Sequence, residues 1–552
     1  MSSLKKKGLK IWRSSAELED SPEFRERMER EFPEPLEAFP PNSPERRRFL
    51  QVMGASLSLA GLTGCRWHED KLLPLTRRPE DYTPGTTRRF ATSMELGGVA
   101  VGLHATSYEG RPIKIDGNPL HPESLGACGV YQQASVLELY DPDRSQYALF
   151  RQEGKAQPTT VDKFSEFAKQ HFSRLRSMRG VGLRILSERS SSPTLEMLRK
   201  RLLAAAPEAK WVSFEPVSSD GPRQGSVLAF GKPHRTHYDF NAADVIVALD
   251  ADLLSPTFPA NLRHAKEISK RRVAEGEMNR IYAIESSYSL LGGMADHRLP
   301  LRSELIKAVA AALDSDVSAK ASPLPELGAA QSKPNAQFLG DPGVSKFLAA
   351  VVKDLLGAVG RSVVVAGPQQ PASVHALAHR LNAILGNVGR TVFYSEDPLA
   401  SESSDAESLS ALTAELEANQ VDTLLILGGN PAYSAPADVN FAAALGKAKT
   451  SIHLSLYQDE TTELATWHLP AAHYLESWGD ARAWDGTVSL VQPLIAPLYG
   501  GLSAIELVAM VLGDGAKALE LVRRAHQDRL GSEKSFRKAI HDGVISGSAF
   551  AR

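Results

Sequence analysis

The stretch "GRPIKIDGNPLHPESLGACGVYQQASVLELYDPDRS" (Gly110–Ser145) packs two turn-forming pairs and one cysteine into 36 residues. Asp116-Gly117 and Asn118-Pro119 both start turns: Asp and Asn side chains bond nearby backbone, and Pro fixes φ. Upstream, from Phe90 to Ile115, apolar and polar residues alternate, with Gly97-Gly98 and Tyr108-Glu109-Gly110-Arg111 as breaks. Period-two alternation between such breaks predicts a few short antiparallel strands. Cys128 follows them, and no other cysteine lies between it and the C-terminus.

Beyond about residue 160 the pattern changes. Short β-rich runs alternate with helical segments: "LRILSE" at 183–188, "KWVSFE" at 210–215, "DVIVALD" at 244–250 and "RIYAIE" at 280–285. A polar, Ala/Ser/Pro-rich gap covers 315–343. The pattern then resumes with "SVVVAG" at 362–367, "RTVFYS" at 390–395, "DTLLILGG" at 422–429 and "SIHLSL" at 451–456. Helical stretches intervene, among them Pro371 to Leu385 and Val439 to Ala448. Continuous apolar strands alternating with helices predict parallel sheets covered on both faces. The gap suggests two such α/β domains.

The chain has 552 residues, 42% hydrophobic and 23% charged, with a formal net charge of −2. That length supports two to four ordinary cores. A near-neutral balance gives no reason to expect a nucleic-acid partner. Two cysteines, Cys65 and Cys128, exclude a disulfide framework and any four-cysteine metal site built by this chain alone. No apolar run reaches the roughly 18 residues of a spanning helix.

Near the N-terminus, "ERRRFLQVMGASLSLAGLTGC" (Glu45–Cys65) joins three arginines to a weakly apolar run and a Leu-Thr-Gly-Cys end. Arg46-Arg47 with Phe49-Leu50 fits a twin-arginine export signal. Leu62 to Cys65 fits a lipoprotein box, with Cys65 as the acylated residue. Ahead of it, Ser14 to Glu37 reads as a charged helix broken by Pro33 and Pro35. Basic and acidic residues interleave there, as on a solvated surface. Residues 66–89 read as a polar, proline-bearing linker.

These stretches together resemble the molybdopterin oxidoreductases. "IWRSSAELEDSPEFRERMEREFPE" resembles the long leader of one group of them. Gly110–Ser145 resembles their N-terminal iron–sulfur domain, with its hairpin, Asp-Gly-Asn-Pro turn and Leu-Tyr-Asp-Pro-Asp-Arg exit. "HYLESWGDARAWDGTVSLVQPLI" (473–495) is closest to the B subunit of alternative complex III, a membrane quinol-oxidising assembly. The fold this implies is α/β: a small β-rich domain, two parallel-sheet domains, and no C-terminal β-barrel domain.

The departures from the family matter as much. The family's C-x2-C-x3-C run is missing before the hairpin, and Cys128 stands at the position of the fourth ligand. One thiolate cannot hold a [4Fe–4S] cluster, which uses about four. The usual molybdenum-binding cysteine is missing too; Ser218, Ser219 and Asp220 in "EPVSSDG" are the nearby stand-ins and read more simply as turn residues. In "LILGGNPAYSAPADVNFAAAL" (425–445) the resemblance brings the loop Gly428-Gly429-Asn430-Pro431 to the guanosine diphosphate of a pterin cofactor; a tight turn explains the same residues. His468 and His473, five apart across Pro470, do not share a helical face and do not read as a metal pair. No Walker A loop, G-x-G-x-x-G, G-x-S-x-G or H-E-x-x-H is present.

The expected layout is a signal with lipobox over 1–65, a linker over 66–89 and a cluster-less iron–sulfur-type domain over 90–150. Two α/β domains follow over 151–320 and 335–513, then a tail over 514–552. The expected role is a cofactor-free scaffold, lipid-anchored on the periplasmic face of the bacterial cytoplasmic membrane. The resemblance implies partners carrying the redox centres: an integral-membrane quinone-binding subunit, a multihaem cytochrome c and an iron–sulfur subunit. The alternatives are an active molybdopterin-dependent oxidoreductase and a free-standing binding protein of two α/β domains.

Overall fold

The computed structural model describes residues 19, 21–31, 51, 83, 85–321, 336–397 and 404–552. The chain divides into two compact units, Met1–Tyr82 and Thr83–Arg552. In the first, Pro22–Glu31 is helical, inside the segment expected to be a charged helix. The Ser21 hydroxyl accepts from the Phe24 N–H at 3.2 Å, and Pro22 opens the helix, where a missing N–H costs nothing. Arg46, Arg47, Cys65 and the linker to residue 82 lie outside the described residues.

The second unit opens with the antiparallel strands β1 (Thr87–Leu96), β2 (Val99–Tyr108) and β3 (Arg111–Gly117). Gly97-Gly98 and Glu109-Gly110 form their two-residue turns, all four at positive φ. That is the turn whose twist matches a hairpin. Helix Val130–Leu139 follows.

β4 (Ala148–Gln152) and β5 (Lys155–Thr159) form a hairpin that edges a larger sheet. β6 (Leu183–Ser187) and β7 (Lys210–Ser213) enter that sheet as a parallel pair. The chain then leaves it. β8 (His234–Tyr238) pairs only with the later β13, while β9 (Val245–Leu249), β10 (Arg280–Glu285), β11 (His297–Pro300) and β12 (Ser362–Ala366) build a four-stranded parallel sheet, ordered β11-β10-β9-β12. β13 (Val392–Glu396) runs antiparallel to β8. β14 (Thr423–Leu427), β15 (Thr450–Ser455) and β16 (Trp467–Pro470) return to the first sheet, ordered β5-β4-β16-β15-β14-β6-β7. β17 (Gly479–Arg482), β18 (Val488–Val491) and β19 (Val544–Ile545) form a small antiparallel sheet.

The topology corrects the expected division at the 315–343 gap. β12, beyond the gap, pairs with β9 before it, so one sheet spans the gap and is inserted into the other. The reason is local: helices Ile306–Ser318 and Pro342–Gly357, on either side of the gap, lay their apolar faces on the same sheet. The expected tail over 514–552 is corrected as well. β19 pairs with β18, and Leu521, Val522, Phe536 and Ile545 lie in one core with Phe164, Ile185, Leu425 and Trp467. "RTVFYS" is a strand, but antiparallel.

Both parallel sheets are buried on both faces. Leu425 and Leu427 of β14 face the core beneath helices Val161–Ser177, Pro193–Ala205 and Ala504–Leu512, while Leu424 and Ile426 face Leu409, Leu412 and Phe441. This double coverage is why the strands read as unbroken apolar runs. Among the described residues no helix is long and apolar enough to cross a membrane.

Candidate functional site

β14 ends at Leu427, and Gly428 and Gly429 follow at φ +77° and +68°. Two left-handed residues in succession are easy only for glycine. Asn430 and Pro431 then lead into the short helix Pro431–Ser434. Asn430 is fastened to helix Glu460–Leu464: its Oδ1 accepts from the Thr461 N–H at 3.3 Å and hydroxyl at 2.8 Å, and its Nδ2 donates to Glu460 at 2.6 Å. The "GGNP" and "DETTE" stretches therefore form one structure.

A buried chain of hydrogen bonds supports this loop from behind. The Gly429 carbonyl can only accept, so His453 donates to it from Nε2 at 3.0 Å and accepts at Nδ1 from the Thr462 hydroxyl at 2.9 Å. That hydroxyl then accepts from His468 Nδ1–H at 3.1 Å, leaving His468 Nε2 to accept from Ser145 at 2.6 Å. Only one set of tautomers satisfies every link. Burial lowers the pKa of His453 and takes that of His468 to about 3, which keeps both rings neutral. His473 is engaged elsewhere: its Nδ1 accepts from the Leu475 N–H at 3.3 Å, and its Nε2 lies 3.5 Å from Glu138.

In front of the glycines stands Glu188. A Cβ on Gly428 would meet its Oε2 at 2.5 Å, and one on Gly429 its Cγ at 3.3 Å. The side chain is exposed to solvent. Burial and the neighbouring Glu95 raise its carboxyl pKa. Burial, then Glu188, take Glu215 to about 7. Glu95 is raised by burial despite the Ser190 and Ser191 hydroxyls that donate to it at 2.8 and 2.7 Å. Arg189 is held by Asp405 at 2.9 Å, and its N–H donates to Glu215 at 2.9 Å.

The stand-ins for a molybdenum ligand are committed to internal contacts. The Ser219 hydroxyl accepts from Arg189 at 3.2 Å. Asp220 accepts from Ser404 at 2.7 Å and lies 3.5 Å from Arg223, and Ser218 accepts from the Asp220 N–H at 3.0 Å. Cys128 is half-buried with its Sγ 3.8 Å from the Gly129 carbonyl. Burial, aided by Asp116, pushes its thiol up to about 11. Among the described residues no three His, Cys, Asp or Glu side chains are grouped to hold a metal ion.

The resemblance assigns the Gly428–Pro431 loop to a cofactor diphosphate, and the residues present do not fit one. A diphosphate wants N–H donors and cations. Here the Glu188 side chain takes the space beside the two glycines, and its nearby titratable neighbours, Glu95 and Glu215, are acidic.

Two buried pairs that sequence reasoning missed join the motif blocks. Arg144, from the "YDPDRS" exit, grips Glu476, from "HYLES", through both nitrogens at 3.2 and 2.7 Å, with side chains 2% and 1% exposed. Asp480 accepts from Ser192, from Thr194 and, at 2.6 Å, from His526. The run Ser190-Ser191-Ser192 was the available signal: three small hydroxyls, separated by two residues from a buried strand, suit the capping of carboxylates.

No family model matches the chain. It is 23% identical, over 92% of its own length and 77% of the other's, to the menaquinone reductase, molybdopterin-binding-like subunit of Nitratidesulfovibrio vulgaris. Its structure is similar to that of acetylene hydratase from Pelobacter acetylenicus, with a TM-score of 0.63 and 13% identity over 82% of this chain and 74% of that one. The resemblance to the molybdopterin-oxidoreductase-like proteins therefore holds in fold and along most of the sequence.

Proposed function

We propose that the chain is a structural subunit of a respiratory quinone-oxidoreductase complex and carries no redox centre of its own. The observation that carries this reading is Glu188, a carboxylate set against the paired glycines where the resembled enzymes would place a cofactor diphosphate. Cys128 supports it: it is the one cysteine after Cys65, and one thiol supplies no four-thiolate cluster. The relative's name, a molybdopterin-binding-like subunit of a menaquinone reductase, supports the quinone-linked setting.

The finer reading is an assembly of the alternative complex III type. Electrons pass through partner chains: an iron–sulfur subunit, a multihaem cytochrome c and an integral-membrane quinone-binding subunit. This chain, exported folded through Arg46-Arg47 and acylated at Cys65, presents a fixed docking surface at the periplasmic face. Stable anchoring takes at least two acyl chains, as a mature lipoprotein has.

The test is elemental and optical analysis of the purified full chain beside its complex. The chain should hold far less than one iron or molybdenum per molecule, show no visible charge-transfer band and co-purify with haem-bearing and iron–sulfur subunits. Near-stoichiometric molybdenum, or a fluorescent pterin released by acid, would overturn the reading in favour of an active molybdopterin enzyme.

A further inference from the structure

The inserted sheet has a ligand edge of its own. From β9 the chain adds β10 and β11 on one side, then crosses to add β12 on the other. The crevice between β9 and β12 is thus the point where strand order reverses, and open parallel sheets bind ligands there, beyond the strands' carboxyl ends. In this chain Asp250, the residue after β9, occupies that place.

Its geometry is that of a bound anion. Oδ1 accepts from the Ser286 N–H and hydroxyl, both at 2.9 Å, and Oδ2 from the Ser303 hydroxyl at 2.9 Å and Gln370 Nε2 at 2.8 Å. Four donors from three separate segments converge on one carboxylate, and all four are uncharged. The residue is 5% exposed. Its backbone is bent to deliver the group: φ is +55°, a left-handed conformation that Asp and Asn tolerate better than most residues. Gly367, just after β12, lets the strands' ends close in, since a Cβ there would lie 1.8 Å from the Asp250 carbonyl oxygen. Burial would raise this carboxyl, but the Ser286, Gln370 and Ser303 donors outweigh it and hold the group below its ordinary range, as an anion.

We propose that Asp250 is an internal anion, filling with its own carboxylate a seat at the strand-order reversal that would otherwise take a small oxyanion. The seat is made by Ser286, Ser303 and Gln370, and its ligand class is a carboxylate or phosphate group. The edge is thereby rigid without a ligand, and this holds whether or not the chain is a scaffold.

The experiment is rescue of Asp250→Gly in the full chain. Glycine takes the left-handed backbone freely and empties the seat. In chloride buffer the variant should melt below the wild type. Sodium formate at matched ionic strength should restore it: at ten times its dissociation constant, a ligand specific to the folded state raises the folded-to-unfolded ratio about tenfold. Wild type and Leu425→Ala, a cavity variant in the other sheet, should gain nothing. A gain with formate or inorganic phosphate confined to Asp250→Gly supports the seat. No gain, or an equal gain in Leu425→Ala, overturns it. If Asp250→Gly does not accumulate folded, refolding yield from urea with formate against chloride gives the same decision.

Discussion

Replacing Glu476 by alanine tests whether the two most diagnostic stretches of sequence are held together by one ion pair. Arg144 and Glu476 are 332 residues apart and almost wholly shielded from water. Removing the carboxylate leaves the guanidinium buried, still donating to the Leu139 carbonyl at 2.8 Å but without a counter-charge. Breaking such a pair from one side costs about 3–5 kcal/mol. Two backbone donors, the N–H groups of His473 and Leu498, lose their acceptor as well, at 2.9 Å each. The whole effect should be at least about 3 kcal/mol, which at a urea slope of about 3 kcal/mol/M lowers the unfolding midpoint by about 1 M. The charge-free pair Arg144→Met with Glu476→Leu should lose less than the two single changes summed, because no buried charge is left alone. The pH dependence has a fixed sign. Burial would raise the Glu476 carboxyl, but Arg144 and the Leu498 and His473 N–H groups outweigh it and bring it below 4.5. The pair's contribution is therefore full above pH 4.5 and is lost as pH falls through the folded pKa. A midpoint change under about 0.3 M for Glu476→Ala, or strict additivity in the double variant, would refute the argument.

Gly428→Ala should destabilise by about 1–3 kcal/mol, from left-handed strain plus the Glu188 carboxylate 2.5 Å from the new methyl, and adding Glu188→Ala should recover only the steric part; no recovery in urea unfolding would mean the carboxylate does not press on the glycine. Glu123 is 2% exposed, and burial followed by Asp485 raises its carboxyl to about 7. A raised acid loses stability as pH rises through its folded pKa, so Glu123→Gln should gain on the wild type between pH 5 and 8, by up to about 3 kcal/mol; an equal difference at both pH values would falsify this. Cys65→Ser should move the chain from membrane to soluble periplasmic fraction, and Arg46→Lys with Arg47→Lys should leave a cytoplasmic precursor; normal fractionation of either variant would remove the corresponding proposal.

Much of the fold was legible because several of its strands are short and mostly apolar. β6, β9, β12 and β14 are buried at every position, so each announces itself without help from its neighbours. The hairpins were legible through Gly97-Gly98 and Glu109-Gly110, whose positive φ is a local property. Pairing between distant strands was not legible. Nothing in "SVVVAG" says that it joins β9 across a polar gap rather than starting a new sheet. The C-terminal elements were missed for a related reason. Helix Glu533–Asp542 buries only Phe536 and Ala539, and its remaining face is charged, so ten residues read as a solvated tail. At the candidate site the loop Gly428–Pro431 was found, but Glu188 was not, since it is set against the glycines only when β6 and β14 pair.

On the proposed reading of a cofactor-free subunit, the same pairings bear on how its ligand-edge loops keep their shape. Each loop at the ligand edges is tied by donors and acceptors from within the chain. Asn430 is fixed by Thr461 and Glu460, Gly429 by His453, the Ser190–Ser192 run by Glu95 and Asp480, and the Ser286, Ser303 and Gln370 side chains by Asp250. The first small sheet is fastened to the last: Gln492 donates to the Ala91 carbonyl at 2.6 Å, and Asn118 to the Asp542 carbonyl at 2.8 Å. A buried polar group left unpaired costs about 1–3 kcal/mol, so edges that had lost a ligand and gained nothing would be among the least stable parts of the fold. On that reading, the chain's own carboxylates and hydroxyls remove the cost. The proposed docking surface would then need no cofactor to hold it in place.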